Sequence, residues 1–168
     1  MVNRQGFWQR AARVLADVIC VNCSATAAFA QPTVAPARRR IRIGGRDIIT
    51  VDVHAHCAVP AVLDIVKGTA MEQPARRQLD GRLGFPVEAE RVGDMNKDGI
   101  DVQVLSINAF WYGAERDLAW RIFDLQSVRL AEMCKYSPGR FLGYAPVSLQ
   151  FPELAAEQLE LGMKQLDL

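Results

Sequence analysis

The sequence predicts an α/β fold built on a parallel sheet, and three observations predict it. Short apolar runs alternate with helical patterns three times between residues 48 and 168, as parallel strands joined by crossover helices require. Glycine or proline marks the ends of most of these segments. The two histidines of the chain, His54 and His56, both stand at the end of the first run. Three strand–helix units fit either a doubly wound sheet or the start of an eight-stranded barrel. A dinucleotide-binding sheet would place a glycine-rich turn after its first strand. The Gly44-Gly45 pair precedes that strand, and histidines occupy the place instead.

The elements follow in order. Ile41 to Ile48, with Gly44-Gly45 at its centre, reads as a short hairpin. A strand covers about 48–54. Pro60 opens a helix that continues through Lys67 and stops at Gly68. Residues 69–85 contain Pro74, Gly81 and Gly84 and lack clear periodicity, so a long polar loop is expected, of a length that is usually functional or disordered. A second helix runs from Pro86 to Asp98, with Val87, Val92 and Met95 as its apolar stripe and Gly99 as its stop. Ile100 to Ile107 alternates as a strand: Val102, Val104 and Ser106 share one face, and Asp101, Gln103, Leu105 and Ile107 share the other. The third helix spans 115–136, carried by Leu118, Ile122, Leu125 and Val128 and ended by Ser137-Pro138-Gly139. Arg140 to Val147 is a third strand. Pro152 begins a last helix with a stripe of Ala155, Leu159, Met163 and Leu166.

Charge divides the chain. Residues 1–46 hold eight arginines against one acid, a charge of +7, while the remainder holds twelve basic and eighteen acidic residues, −6. The mildly acidic globular part offers no basic surface for nucleic acid. The basic excess belongs to residues 1–40, which read as a possible export signal and a linker. Arg4, Arg10 and Arg13 precede a modestly apolar stretch from Val14 to Val21, and Ala28-Phe29-Ala30 has the form of a cleavage site. Asn3 to Trp8 resembles a twin-arginine signal with Gln5 in place of the second arginine, so export to the periplasm is one expectation and a cytoplasmic protein with a disordered tail the other. No stretch is long and apolar enough to span a bilayer. Residues 31–40 (QPTVAPARRR) form the linker. Cys20 and Cys23 have the spacing of half a zinc or redox motif but no second pair. Cys57 and Cys134 read as small buried hydrophobes.

Alternation along a strand puts Asp52, His54 and His56 on one face. At the C-terminal end of a barrel strand that face is the interior, where barrel enzymes keep their sites. Two imidazoles there can ligate one divalent ion, and Asp52 can orient a ring through its second nitrogen. The plainer alternatives are a hydrogen-bonded polar pair, and an aspartate that accepts from nearby backbone amides.

Val51-Asp52-Val53-His54-Ala55-His56 resembles the first-strand signature of the amidohydrolase superfamily. Arg91 to Leu105 and Ser137 to Gln150 resemble the matching segments of the aminocarboxymuconate semialdehyde decarboxylase family. The resemblance covers residues 48–168. It implies a (β/α)₈ barrel of metal-dependent hydrolase type and one divalent metal, with zinc the expected ion, held in part by His54 and His56. It also implies carboxy-lyase chemistry on a small unsaturated or aromatic carboxylate, with hydrolysis of amides or lactones as the alternative. The remaining ligands and the catalytic histidine of that family have no counterpart here. A whole barrel takes about 250 residues, whereas 121 run from residue 48 to Leu168. The expectation is therefore about three β/α units in residues 41–168, the N-terminal part of a longer enzyme. That piece would be unstable or self-associating and inactive by itself, or would be a non-catalytic truncated domain; the complete enzyme is a possible homodimer. Arg76, Arg77 and Arg82 are candidate anchors for a substrate carboxylate, or solvated surface arginines. Trp111 is a candidate pocket wall, or ordinary packing.

Overall fold

A computed structural model describes residues 37–80 and 88–168. Its elements are β1 (Arg42–Ile43), β2 (Arg46–Asp47), β3 (Val51–Cys57), α1 (Val62–Val66), α2 (Glu72–Asp80), α3 (Glu88–Asp98), β4 (Val102–Ile107), a 3₁₀ turn (Trp111–Gly113), α4 (Arg116–Tyr136), β5 (Phe141–Gly143) and α5 (Pro152–Gln165). The strands β3, β4 and β5 form a parallel sheet in that order. Helices intervene between successive strands, as the alternation predicts. The hairpin β1–β2 is separate, and both turn glycines have positive φ (57° and 79°), the conformation glycine adopts most readily. Among the described residues no helix is long and apolar enough to cross a membrane.

One face of the sheet is packed. Ala55, Cys57, Leu105, Ile107 and Phe141 meet Val62 and Val66 of α1, Ala119, Ile122 and Leu130 of α4, and Leu154 of α5 in one apolar core. The opposite face is open. Val51 pairs with Val102 and Val104 with Leu142, which puts all four on that face, and Val51 and Leu142 remain 51% and 57% exposed. A barrel interior left uncovered on one side has this character.

The residues that directly precede the three strands lock together. Thr50 N–H donates to Asp101 Oδ2 (2.8 Å), and Asp101 N–H donates back to Thr50 Oγ1 (3.1 Å). Arg140 donates from Nε to the Asp101 carbonyl (2.8 Å), from Nη2 to the Ile100 carbonyl (3.0 Å) and from Nη1 to Asn96 Oδ1 (2.9 Å). Arg38 pairs with Asp101, and Arg39 N–H donates to the Asn96 carbonyl (2.8 Å). Residues 38 and 39 are thus docked on the fold, although the sequence assigns them to the linker.

Four other expectations change. The first strand is Val51–Cys57 rather than 48–54, so the histidines lie within it. The stretch expected to be a loop contains α2. Thr69 Oγ1 accepts from Met71 N–H (3.2 Å), and Glu72 accepts from Gly68 N–H (2.7 Å) and pairs with Arg76. This is close to the reciprocal capping pattern of Thr-x-x-Glu, and Pro74 falls in the first turn, where its missing N–H does no harm. The third strand keeps only Phe141–Gly143; Tyr144 N–H still reaches the Leu105 carbonyl (2.9 Å), but Pro146 has no N–H to continue a ladder. Finally, α5 buries Leu154, Ala155, Gln158 and Gly162, while Leu159 and Met163 face solvent. A Cβ on Gly162 would lie 2.8 Å from Ala145 Cβ, so close packing at the glycine, not the larger apolar residues, sets which side of α5 turns inward.

Arg140→Met keeps the side-chain stem and leaves three acceptors without their donor, a loss of about 3 kcal/mol; urea unfolding would measure it, and a change below about 1 kcal/mol would mean the lock does not hold the strand starts. Burial pushes the Cys57 thiol up from 9.0 to about 12, against an opposing pull from Arg91. The unfolded thiol ionises near pH 9 and the folded one does not, so this contribution is intact below pH 9 and is lost as pH rises toward 12. Stability measured between pH 8 and 11 should fall less steeply in Cys57→Ala than in the native chain.

Candidate metal-binding site

Strand alternation alone would have buried the histidines. In β3 Asp52 pairs with Gln103 and His56 pairs with Ser106. Five residues on β3 thus span four on β4, and a bulge lies between Asp52 and Ala55. Gln103 and Ser106 point to opposite faces of β4. The bulge therefore leaves Asp52 on the helix-packed face and turns His56 onto the open one. This corrects the expectation that Asp52, His54 and His56 share a face. Without the extra residue His56 would fall opposite Ile107, in the apolar core.

The two imidazoles come together beyond the bulge. Their ring centroids are 4.9 Å apart and their planes meet at 82°. His56 Nδ1 lies 3.0 Å from Ser106 Oγ. That hydroxyl also lies 3.5 Å from the Ala55 carbonyl. If Ser106 donates to Ala55, it accepts from His56 Nδ1–H, which leaves the Nε2 lone pair of His56 for a ligand. The donor set fits a divalent cation. An ion about 2.1 Å from one nitrogen of each ring lies about 3.2 Å from each centroid, and a near-tetrahedral angle then separates the centroids by about 5 Å. Among the described residues no group of three or more His, Cys, Asp or Glu side chains converges on a point, so His54 and His56 by themselves fall short of the three ligands a metal site takes.

Asp52 meets backbone rather than a ring. Its Oδ1 accepts from His54 N–H (3.0 Å) and its Oδ2 from Gln103 Nε2 (3.0 Å). Gln103 Oε1 in turn accepts from Arg91 Nε (2.7 Å), and Arg91 Nη1 donates to the His56 carbonyl (3.0 Å). Burial pushes the Arg91 guanidinium below its ordinary range, while Cys57 and Asp52 draw it back up. Sequence reasoning did not single out Ser106, Gln103 or Arg91. The signal for the first two was strand register, which a bulge obscures.

The other candidates make contacts of their own. Arg76 is committed to Glu72 through Nε (3.0 Å) and Nη2 (2.9 Å). Arg77 is exposed on α2. The neighbouring Gln78 donates to the carbonyl of Asn108, one residue beyond β4, and so holds α2 at the histidine end of the sheet. Arg82, Cys20, Cys23 and the stretch read as an export signal lie outside the described residues. Trp111 is buried in the core at 3% exposure; its Nε1–H donates to the Val147 carbonyl (3.0 Å) and its own carbonyl accepts from Gln150 Nε2 (3.0 Å). It packs and ties the segments after β4 and β5 together.

No family model matches the chain. Over 122 residues, 69% of its length, it is 32% identical to gamma-resorcylate decarboxylase from Rhodococcus jostii, of which it spans 35%. Its structure matches 2,6-dihydroxybenzoate decarboxylase from Rhizobium with a TM-score of 0.54 and 28% identity, covering 71% of this chain and 36% of that one. It matches a dihydroxybenzoic acid decarboxylase from Polaromonas, solved with bound manganese and 2-nitroresorcinol, with a TM-score of 0.52 and 29% identity, covering 71% and 36%. The open sheet with helices on one face is thus part of a (β/α)₈ barrel. The relatives it matches are aromatic-acid decarboxylases of the amidohydrolase superfamily, and the chain spans about a third of the length of the curated ones.

Proposed function

We propose that this chain supplies the His-x-His strand of a metal-dependent carboxy-lyase acting on a small hydroxylated aromatic carboxylate. One observation carries the reading: the bulge in β3 brings His54 and His56 together on the face that a barrel turns inward. The likeness to gamma-resorcylate decarboxylase supports the substrate class. In the net reaction the bond between ring and carboxylate carbon breaks, its electrons stay on the ring carbon, a proton joins that carbon and CO₂ leaves. A bound divalent ion, manganese as in the Polaromonas relative or zinc, supplies Lewis acidity. The chain's own residues do the rest of what can be assigned. His54 and His56 hold the ion, and Ser106 holds the His56 ring. Arg77, exposed beside Gln78 at the histidine end, is available to orient a carboxylate. The proton donor and further ligands come from outside the described residues.

The test uses the protein expressed from its complete reading frame. Added Mn²⁺ or Zn²⁺ should bind at one site, and 2,6-dihydroxybenzoate should yield CO₂ and resorcinol. His56→Ala should abolish metal binding and lower turnover at least about a hundredfold. Metal binding without turnover would favour a second reading, a non-catalytic metal-binding domain, which the two-ligand set among the described residues supports. No metal binding would end both.

Residues 1–30, ahead of the linker, are proposed to direct export. Fused to a reporter that is active only after translocation, they should confer signal, and Arg4→Ala with Arg10→Ala should remove it. An inactive fusion would leave the cytoplasmic alternative.

A further inference from the structure

Both histidines are held through their backbone by one hydrogen-bonded chain on the other side of the sheet. Arg91 stands on α3, Gln103 on β4 and Asp52 on β3. The Arg91 guanidinium forks between the His56 carbonyl (3.0 Å) and Gln103 Oε1 (2.7 Å). The Gln103 amide passes on to Asp52 (3.0 Å), and Asp52 closes the chain on His54 N–H (3.0 Å). The bonds start at the carbonyl of one histidine and end at the amide of the other, and they enclose the bulge. A bulge leaves backbone groups outside the ladder; the relay takes up the N–H of His54, inside the bulge, and the carbonyl of His56 just beyond it. Gln103 is the only amide in the relay, and its two ends are not interchangeable: its oxygen must face Arg91 and its nitrogen Asp52, since Arg91 only donates and the Asp52 carboxylate only accepts.

We propose that Arg91, Gln103 and Asp52 form a positioning relay that holds the bulge in β3 and thereby keeps the two imidazoles paired on the open face. Arg91 and Asp52 bond the histidines at the main chain, whereas Ser106 meets a ring directly. The inference rests on the metal-site reading for its purpose, but not for its geometry. Losing any link frees the extra residue of the bulge. The strand then gains a route back to regular register, in which His56 turns toward the core.

The chain has only two histidines, so its ring-proton spectrum with labelled histidine holds two spin systems and is read without ambiguity. In the native full chain a strong ring-to-ring Overhauser contact between His54 and His56 is expected from the 4.9 Å separation. Gln103→Leu and Arg91→Lys should each lose it with the circular dichroism spectrum retained, while Glu72→Ala, on the surface of α2, should keep it. Lysine retains the charge of Arg91 but cannot fork between two acceptors, so Arg91→Lys decides the matter if Gln103→Leu fails to fold. Contact retained in both relay variants, or missing from the native chain, would overturn the proposal. Manganese added to the same samples separates this from the metal reading. Paramagnetic broadening of both rings in the native chain, with about tenfold or more weaker binding in the relay variants, fits both. A native contact that depends on the relay but shows no broadening leaves the relay standing and removes the metal. Equal broadening in every variant, with the contact unchanged, does the reverse.

Discussion

The bond from His54 N–H to the Asp52 carboxylate is the constraint on which the candidate site depends. It closes a short local loop within β3 and accompanies the one irregularity in the pairing of β3 with β4. Because side chains alternate with a period of two, one extra residue exchanges the faces of everything downstream. Ala55 and Cys57 thereby gain the core, where they are 4% and 3% exposed, and His56 gains the open face. Apolar burial and the facing of His56 are two results of the same displacement. The small residues Ala55 and Cys57 fill the helix side at modest volume, so burying them reinforces the bulged register.

The core argues in the same direction. A half-buried guanidinium is costly unless its donors are used, and Arg91 has a carbonyl, an amide oxygen and a nearby carboxylate to meet. Its position between α3 and the sheet ties the helix to the strand that bears the histidines. The packing of α3 and the geometry of the site are therefore not independent, even though α3 contributes no ligand.

Much of this was legible in the residues. Three strand–helix units, the glycine stops at Gly68 and Gly99, the hairpin at Gly44-Gly45 and the pairing of His54 with His56 all rest on local rules that tertiary packing left intact. The misses have physical causes. The facing of Asp52 was misread because a bulge is a relation between two strands and has no signature within one. The side of α5 was misread because Gly162, with no side chain, permits the closest approach, whereas hydropathy favours Leu159 and Met163. Helix α2 was overlooked although Thr69 and Glu72 carry a start signal; proline at position 74 was read as a break when it sits in the turn that tolerates it. Arg38 was assigned to a linker by composition, and only its ion pair with the buried Asp101 docks it.

The lock formed by Thr50, Asp101 and Arg140 sits at the opposite end of the strands from the histidines. Six residues of extended chain separate Thr50 from His56, about 20 Å. Cohesion and the candidate site thus occupy different poles of the sheet. Loops at the histidine pole can lengthen, shorten or exchange residues without disturbing what fixes the strand starts. A scaffold divided in this way leaves room for a lineage to change what it accepts while the same hidden base carries the load.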